Sequence, residues 1–556
     1  MLRFVRLNVI IVGLLLLSAM LFQRPTISAS GRPFACGPAP TPEVMEVAPV
    51  TSPTTALTQT LRVRLGNGRA ITAASEAGSV IITGTFSSMT WTPITLTLLP
   101  NVTHHVIVTG QVEYAANCYY TLYRTTDVTS APLTIVQASR RVYLPIVARS
   151  GDSNQRSFPD TTGGIFVFND QLATGSMSEA QFQFAATHYV GTQKVARDQA
   201  QHLRQYNPDF LVLHYRLGQA LGHSTPSAAC QPTTDYFNII DGDQWVQEWP
   251  GDANVQDRWF FKYDASRVFS CSNGHYVMEL NDPDWRAWWS TQVISQLIDN
   301  ENDGLFADSY SVPNYFGGSD FNPPLPDTDS TFEQQWADRE HAFTDYMQTR
   351  FAGRWKWLPN IGEWITSRDP SDYSNLDGAM LEGFAEWGGG SYFDESDWIL
   401  QLNRVLTLIR ADKIIIGQTY PTETDVHERL FVLGTYLLIK GAHTYINLDT
   451  AMEPEWFPEY TIDLGAPLDA LPTDIAAYLD PVWQVYVRHY THGLVLVNPT
   501  DTAHPISLGG TYYRADPIGG GAVPEDGAAP GSLNYAEATT INLGPHQAVV
   551  VLNQRP

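Results

Sequence analysis

The sequence has little positive charge, few cysteines and none of the short motifs that mark several common kinds of site. Lysine and arginine number 33 against 58 aspartate and glutamate residues, a formal net charge of −25. Because phosphate binding requires a basic surface, this balance disfavours nucleic acid as a partner. There is no HxH or HExxH motif, and no two of the four cysteines form a CxxC pair. The sequence therefore predicts no metal and no other cofactor.

Long hydrophobic runs are also scarce, and the one near the N-terminus is short. Arg3 and Arg6 precede an apolar run at residues 9–22, and small residues follow at 28–30. This order is typical of a secretory signal peptide, which we predict over residues 1–30. A membrane span needs about 20 apolar residues, and this run is shorter. The alternative is that the segment is not cleaved and stays as a membrane anchor. We expect a secreted or cell-surface protein with no stable membrane insertion after cleavage.

The cysteines fall into two groups that are far apart in the chain. Cys36 and Cys118 lie in the N-terminal part, and Cys230 and Cys271 lie in the middle. In an oxidising compartment, one bridge in each group is the simplest arrangement. We therefore predict the disulfides Cys36–Cys118 and Cys230–Cys271, with four unpaired buried thiols as the alternative.

Changes of composition divide the 556 residues into several segments. A linker rich in proline, threonine and serine is predicted at 31–58, and short alternating strands at 59–149 predict an N-terminal β-sandwich. A polar linker follows at 150–162. The segment 163–480 alternates apolar strands with amphipathic helices, and 481–556 returns to a β pattern that predicts a small C-terminal β-sandwich.

The segment 163–480 predicts a central (β/α)₈ barrel, which makes the whole chain an α/β protein. Eight strand candidates separated by helical stretches match the size of such barrels. The candidates lie at 165–169, 189–192, 210–215, 304–308, 356–360, 379–383, 413–418 and 444–447. An open doubly wound sheet is the competing fold, but no GxGxxG follows the first strand.

Two acids stand at the ends of apolar strands in this barrel. Asp308 closes Asp-Gly-Leu-Phe-Ala-Asp at 303–308, and Glu382 closes Asp-Gly-Ala-Met-Leu-Glu at 377–382. In barrels of this type, catalytic groups lie at the C-terminal ends of strands. Two carboxylates facing one cavity can cleave a glycosidic bond, one as proton donor and one as nucleophile or base. Glu363, after the fifth strand, is a rival acid.

Other polar and aromatic residues at the strand ends are predicted to bind sugar hydroxyls or to stack on sugar rings. Local capping is an equally good explanation for Asp170 and Asp449, and core packing is the usual fate of a single tryptophan. The predicted substrate-binding residues are Asp170, His214, Tyr215, Tyr310, Asn360, Glu363, Trp364, Trp387, Gln418, Tyr420, Asn447 and Asp449.

The two acidic motifs, together with Leu-Pro-Asn-Ile-Gly at 358–362 and the strand at 492–499, resemble the bacterial glycosyl hydrolases of the hypothetical family 15 type. More loosely, the chain is similar to the α-galactosidase superfamily and to endo-α-1,4-polygalactosaminidase-like barrels. The resemblance covers about residues 163–553. It implies Asp308 as nucleophile and Glu382 as acid/base, and it implies no particular sugar.

Two further classes of function stay open at this point. The chain could bind carbohydrate at the cell surface without cleaving it, although a lost activity would not preserve both acids. It could also be a metal-dependent hydrolase, for which His214 is the main candidate ligand among the strand ends. A carbohydrate partner is expected both for a non-catalytic binding protein and for a glycosidase. The sequence indicates no oligomeric state.

Overall fold

A computed structural model describes strand segments between residues 46 and 136 and the chain from 156 to 556. In the second range, 223–226, 233–236, 242–243, 249–255, 316 and 451–453 are not described. The predicted signal peptide, Cys36 and Cys118 lie outside the described residues. The chain forms two compact units, residues 1–149 and residues 150–556. The finer domain boundaries given above stay a prediction.

The first unit contains two antiparallel sheets. One pairs Glu46–Val47, Thr58–Arg64 and Thr92–Thr97, and the other joins Gly68–Ser75, Gly78–Phe86, Thr103–Ala116, Leu122–Thr129 and Leu133–Val136. Alternate residues of these strands are buried, including Leu61 and Val63 in the first sheet and Ile71 and Ala73 in the second. Alternation of this kind places one face of each sheet in a core, as expected of the predicted sandwich.

The second unit is built on eight parallel strands. They are β1 Val167–Phe168, β2 Tyr189–Gln193, β3 Leu211–Leu217, β4 Gly304–Asp308, β5 Lys356–Pro359, β6 Gly378–Glu382, β7 Ile414–Thr419 and β8 Thr444–Leu448. Seven neighbouring pairs follow one another from β5 through β1 and β8 to β6. A parallel bridge from Asn360 to Met380 joins β5 to β6 and closes the barrel. The predicted (β/α)₈ fold is confirmed, and the strand bounds differ from the predicted ones by at most two residues.

Six helices of the described part surround the barrel: α1 Glu179–His188, α2 Arg197–Tyr206, α3 Pro283–Asp299, α4 Ser330–Phe351, α5 Glu395–Arg410 and α6 Val426–Ile439. The last four begin after an aspartate whose carboxylate accepts backbone N–H bonds of the first turn, the usual role of an N-cap residue. Short 3₁₀ turns lie at Asp257–Trp259, Gly318–Asp320, Pro458–Thr461 and Ile475–Tyr478. Helix α1 was not predicted.

The interior of the barrel is filled by one apolar cluster. It includes Phe168, Leu213, Phe306, Leu358, Met380 and Ile416, one residue from each of six strands. Successive side chains of a strand point to opposite faces. The residues two positions after these six therefore also point toward the barrel axis. That rule places Asp170, Tyr215, Asp308, Asn360, Glu382 and Gln418 directly above this cluster.

A long insert follows β3 and carries short antiparallel strands. Their bounds are Ala220–Leu221, Phe237–Asp241, Gln244–Glu248, Lys262–Tyr263, Ser266–Arg267, Phe269–Ser270 and Tyr276–Val277, and Phe321–Asn322 after β4 joins the same group. The disulfide Cys230–Cys271 lies in this insert, with its Cα atoms 5.1 Å apart. This predicted bridge is confirmed.

The C-terminal sheet consists of Tyr486–Tyr490, Gly493–Asn498, His504–Ile518, Ser532–Leu543 and Gln547–Leu552, and a small pair joins Glu455–Trp456 to Gly521–Ala522. One face packs on α6, where a Cβ on Gly434 would come within 2.4 Å of Ala548 Cβ. Arg488 donates to the carbonyl oxygens of Leu437, Leu438 and Lys440 at the C-terminal end of α6. This sheet therefore buries the helix that follows β7.

Candidate active site

The two strand-end acids face the same axis of the barrel. Asp308 is the last residue of β4, and Glu382 is the last residue of β6. Phe306 and Met380, two residues earlier, belong to the apolar interior. Both carboxylates therefore lie on top of a hydrophobic layer, at the end of the barrel where the strands terminate.

One amide connects the two acids. The Nδ2 atom of Asn360 donates to Oδ1 of Asp308 over 2.8 Å and also donates to Oε2 of Glu382. Since one nitrogen bonds to both oxygens, those oxygens are less than about 6 Å apart. Asn360 is held in turn by its backbone N–H, which donates to Ala307 of β4 over 2.9 Å. The neighbouring strand thus fixes the group that joins the carboxylates.

Each acid also accepts a bond from a phenol. Tyr215 of β3 donates to Oδ2 of Asp308, and Tyr420 donates to Oε1 of Glu382. The backbone N–H of Ser309 gives Asp308 a third donor at 2.8 Å. Hydrogen bonds to an ionised carboxylate stabilise its charge. Asp308 thus accepts three such bonds, from Tyr215, Ser309 and Asn360.

The two acids differ in what surrounds them. Burial raises the pKa of Glu382, and the charge of Asp308 raises it further, whereas the bonds from Tyr420 and Asn360 work in the opposite direction. A raised pKa keeps a carboxyl protonated at a higher pH, which is the requirement for a general acid. Burial raises the pKa values of Tyr215 and Tyr420, and the charge of Asp308 beside Tyr215 and of Glu382 beside Tyr420 raises them further. Both phenols therefore remain neutral donors.

A lysine that the sequence analysis missed lies among these groups. Lys194 follows β2, donates to Oδ2 of Asp170 over 2.8 Å and lies 5.0 Å from the ring centre of Tyr215. Burial works to lower its pKa, but the charges of Asp170, Asp308 and Glu382 raise it overall. Its ammonium group therefore stays charged beside the acids. Its place directly after the strand β2 was a signal that the sequence offered.

The far side of the site is formed by the last two strands. Gln418 Nε2 donates to the hydroxyl of Tyr420 over 3.0 Å, and Asn447 Nδ2 donates to Oε1 of Gln418 over 3.2 Å. Burial, followed by the charges of Asp170 and Glu455, raises the pKa of Asp449 to about 8. The predicted residues that the structure brings to this end of the barrel are Asp170, Tyr215, Asp308, Asn360, Glu382, Gln418, Tyr420, Asn447 and Asp449.

Glu363 is close to the pair without bonding to it. A Cβ on Gly383 would lie 2.5 Å from Cγ of Glu363, and the φ angle of this glycine is +91°. Glycine at 383 therefore provides the space for the Glu363 side chain next to Glu382. Burial raises the pKa of Glu363 to about 7, and the charge of Glu382 also contributes. Glu363 remains the second candidate for a proton donor.

Three predicted site residues lie elsewhere. His214 is buried and points away from the axis, because its neighbour Tyr215 points inward, and its Nε2 lies 2.9 Å from Gln296 of α3. Tyr310 is fully buried, and its hydroxyl donates to the carbonyl oxygen of Glu340 in α4 over 2.6 Å. Trp364 lines a separate cavity of about 610 Å³ beside α5.

Trp387, by contrast, is an exposed aromatic residue near the site. It lies in the connection from β6 to α5 with 40% of its surface accessible. The neighbouring Gly389 donates its N–H to the carbonyl oxygen of Tyr420 over 3.0 Å. Its connection is thus bonded to the residue that contacts Glu382, and an exposed indole there can stack on a sugar ring.

Within the described residues there is no group of three or more histidine, cysteine or acidic side chains arranged to hold a metal ion. The same residues include no helix of the length and hydropathy that crossing a membrane requires. His214, the main ligand candidate considered for a metal-dependent hydrolase, lies outside the site.

Comparison with known proteins identifies one protein family. The model of hypothetical glycosyl hydrolase family 15 matches residues 204–494, a range that contains β3 to β8. No curated protein matches the chain.

Comparison with solved structures gives matches of low identity and low TM-score. Pullulanase type I from Bacillus subtilis is 8% identical, with 91% of this chain and 85% of that one covered and a TM-score of 0.38. Pullulanase from Bacillus acidopullulyticus is 9% identical, with 90% and 74% covered and a TM-score of 0.34. A maltogenic α-amylase from Thermotoga neapolitana is 7% identical, with 70% and 98% covered and a TM-score of 0.31.

Proposed function

Because this chain belongs to hypothetical glycosyl hydrolase family 15, we propose that it is a retaining glycoside hydrolase in which Asp308 is the nucleophile and Glu382 the general acid/base. The observation that carries the proposal is the amide of Asn360, which donates to both carboxylates. Retaining enzymes hold their two carboxyl groups about 5–5.5 Å apart, whereas inverting enzymes need roughly 6.5–9.5 Å to admit a water molecule. Two oxygens bonded to one nitrogen favour the shorter spacing.

In the first step, Asp308 attacks the anomeric carbon and forms an ester bond to the sugar. The glycosidic bond breaks, and the proton of Glu382 passes to the leaving oxygen. In the second step, Glu382 takes a proton from water, and the water oxygen attacks the anomeric carbon. The ester breaks, the sugar is released with its original configuration, and both carboxyls return to their starting states.

The three donors to Asp308 support its role as the ionised partner. Burial, which raises the pKa of Glu382, supports its role as the protonated partner. After the first step Asp308 is no longer an anion, so one cause of that raised pKa disappears. The pKa of Glu382 therefore falls, and its carboxylate, which has given up its proton in the first step, stays ionised and can take a proton from water in the second step.

The remaining strand-end groups would bind the sugar. Asp170 and Lys194 form an ion pair at 2.8 Å and together offer acceptors and donors for neighbouring hydroxyls. The site contains the acids Asp170, Asp308, Glu382 and Asp449 around this one identified lysine, a balance that disfavours an anionic sugar such as a uronate. We propose a poly- or oligosaccharide of uncharged sugars as the substrate, with Trp387 as a stacking surface.

An extracytoplasmic location is part of the same proposal. The disulfide Cys230–Cys271 is of the kind that persists in an oxidising compartment, and the N-terminal sequence has the order of a signal peptide. Polysaccharides outside the cell would then be within reach of the enzyme.

The test is hydrolysis of a panel of polysaccharides and aryl glycosides by the mature chain, with the anomer of the first product determined by ¹H NMR. We expect a retained anomer. An inverted anomer would contradict the assigned mechanism. Binding of a glycan with no cleavage across the panel would favour a carbohydrate-binding protein instead.

A further inference from the structure

Residues 383–392 form most of the connection from β6 to α5 and are called the Trp387 loop. It is attached at two points, to Thr419 at the end of β7 and to Tyr420, the residue that follows. Gly389 donates its N–H to the carbonyl oxygen of Tyr420 over 3.0 Å, and Thr419 Oγ1 donates to the carbonyl oxygen of Glu386 over 3.4 Å. The hydroxyl of Tyr420 donates to Glu382. The place of this loop therefore bears directly on a residue that contacts the general acid.

A second pair of acids lies beneath the loop. Glu386 is fully buried, and Glu428, in the first turn of α6, is 1% exposed. The two carboxyl groups are within hydrogen-bonding reach of each other. Neither oxygen of Glu386 has a donor among the described residues. Glu428 accepts the N–H of Gly390 and, over 2.9 Å, the N–H of Thr422.

These surroundings decide which of the two acids carries a proton. Glu428 has two N–H donors and lies at the N-terminal end of a helix, where the helix dipole favours a negative charge. Glu386 has no donor, and two buried carboxylates facing each other without a cation or a proton would be strongly unfavourable. A proton on Glu386 removes this conflict, since it can be donated to the carboxylate of Glu428.

We propose that Glu386 is a positioning residue that stays protonated and donates a hydrogen bond to Glu428, which holds the Trp387 loop against the first turn of α6 and keeps Tyr420 and Trp387 in place. Its consequence for hydrolysis rests on the proposed function. The bond joins the loop that follows β6 to the helix that follows β7.

The proposal predicts a dependence on pH. Burial raises the pKa of Glu386 to about 9, with further contributions from the charges of Glu428 and Asp425. The other titratable groups on this side are Tyr392 of the loop itself and His546 of the C-terminal sheet, whose ring stacks on that of Tyr392 with centres 4.6 Å apart. Above this pH Glu386 loses the proton that forms the bond, and the loop loses this link to the first turn of α6.

Two variants of Glu386 separate its proton from its volume. Glutamine carries a permanent amide donor and cannot ionise, so Glu386→Gln keeps a bond to Glu428 at every pH. Alanine has no donor, so Glu386→Ala loses the bond. Glu340→Gln is a matched control, because Glu340 is also a buried glutamate with a raised pKa but lies in α4.

The test uses the full mature chain labelled with 5-fluorotryptophan, in which the ¹⁹F resonance of Trp387 is identified by its loss in Trp387→Phe. We expect this resonance to shift with pH around about 9 in the parent and in Glu340→Gln, and to stay constant in Glu386→Gln. A constant resonance in the parent, or the same titration in Glu386→Gln, would overturn the proposal.

Hydrolysis provides the second readout. At neutral pH we expect Glu386→Ala to lower kcat/KM by about tenfold or more through displacement of Tyr420 and Trp387, and Glu386→Gln to retain the parent value. A loss in Glu386→Gln equal to that in Glu386→Ala would overturn the positioning role. The NMR experiment requires no substrate, so an absence of hydrolysis in the parent would count against the proposed function and leave the NMR result on Glu386 intact.

Discussion

Glu382 and Glu386 stand four residues apart, each faces a second acid, and their surroundings give them different roles. Glu382 is partly accessible at the end of β6, and its donors are the side chains of Asn360 and Tyr420. Glu386 is fully buried, and the donors in its pair are backbone N–H groups that bond to Glu428. A pair that a substrate can reach can exchange protons with it. A pair that is closed off from solvent can only keep its proton.

The largest expected effect comes from replacing either carboxyl group of the accessible pair, Asp308 and Glu382, with an amide. Asp308→Asn removes the nucleophile and Glu382→Gln removes the proton donor, so each should lower kcat/KM by about a thousandfold or more. Glu363→Gln should cost less, because Glu363 does not bond to the pair. Asp412→Asn and Glu301→Gln, two accessible acids before β7 and β4, are controls that should retain activity.

Thermal unfolding should show that both inactive variants keep the fold. Near-normal activity in Asp308→Asn would remove this mechanism. A larger loss in Glu363→Gln than in Glu382→Gln would move the acid/base role to the residue after β5.

The second effect concerns the amide that joins the pair. Asn360→Ala removes a donor from both carboxylates at once and leaves them facing each other without a shared bond. We expect kcat/KM to fall by about a hundredfold, comparable to the loss of one positioned donor in an active site. Asn498→Ala, which removes a buried asparagine of the C-terminal sheet, should lower stability without a comparable loss of kcat/KM. Equal losses of kcat/KM in Asn360→Ala and Asn498→Ala would contradict the role of Asn360 as the donor that joins the two carboxylates.

The third effect is a shift in the pH dependence of activity. The bond from Tyr420 lowers the pKa of Glu382, in opposition to burial and to the charge of Asp308. Tyr420→Phe should therefore raise that pKa. Because the general acid acts in its protonated form, the alkaline limb of kcat/KM should move to higher pH, with a loss of about tenfold at the optimum. A limb that stays in place or moves to lower pH would argue against Glu382 as the acid.

The smallest effect is a change in the free energy of unfolding that comes from the buried pair of Glu386 and Glu428. An unfolded glutamate releases its proton near about pH 4.3, whereas Glu386 keeps it to about pH 9 in the folded chain. Between these values folding takes up a proton, so stability falls with rising pH by at most about 1.4 kcal/mol per pH unit. Glu386→Gln does not titrate.

The melting temperature of Glu386→Gln should therefore rise relative to the parent by up to about 5 °C as the pH increases from about 5 to about 8. The exposed control Glu301→Gln should not gain in this direction, because the pKa of Glu301 is lowered by its partners. A difference between Glu386→Gln and the parent that is independent of pH would contradict the protonated state of Glu386.

The barrel could be predicted from the sequence because its strands are short apolar runs that end in polar residues. Strands β4 and β6 match the predicted ranges within one residue, and the same runs locate both acids. The direction in which individual side chains point was harder to predict. Both faces of β3 are buried, so its sequence shows no alternation of polar and apolar residues, and Tyr215 could not be distinguished from His214.

Other features depend on contacts between distant parts of the chain. Tyr310 follows Asp308 closely, but its hydroxyl bonds to α4, and no local pattern predicts that direction. The role of Glu386 depends on Glu428 and on a glycine turn that brings Gly390 to it. Helix α1 was missed because its apolar residues do not form one stripe. Its buried residues include Gln181 as well as Phe182 and Phe184.

Azide rescue tests the central claim most directly. An activated aryl glycoside of the sugar found in the panel would be incubated with Asp308→Gly and with Glu382→Ala, each with and without azide. We predict rescue of both variants, with a glycosyl azide of inverted configuration from Asp308→Gly and one of retained configuration from Glu382→Ala. Products of the same configuration from both variants, or rescue of neither, would contradict the assignment of Asp308 as nucleophile and Glu382 as acid/base.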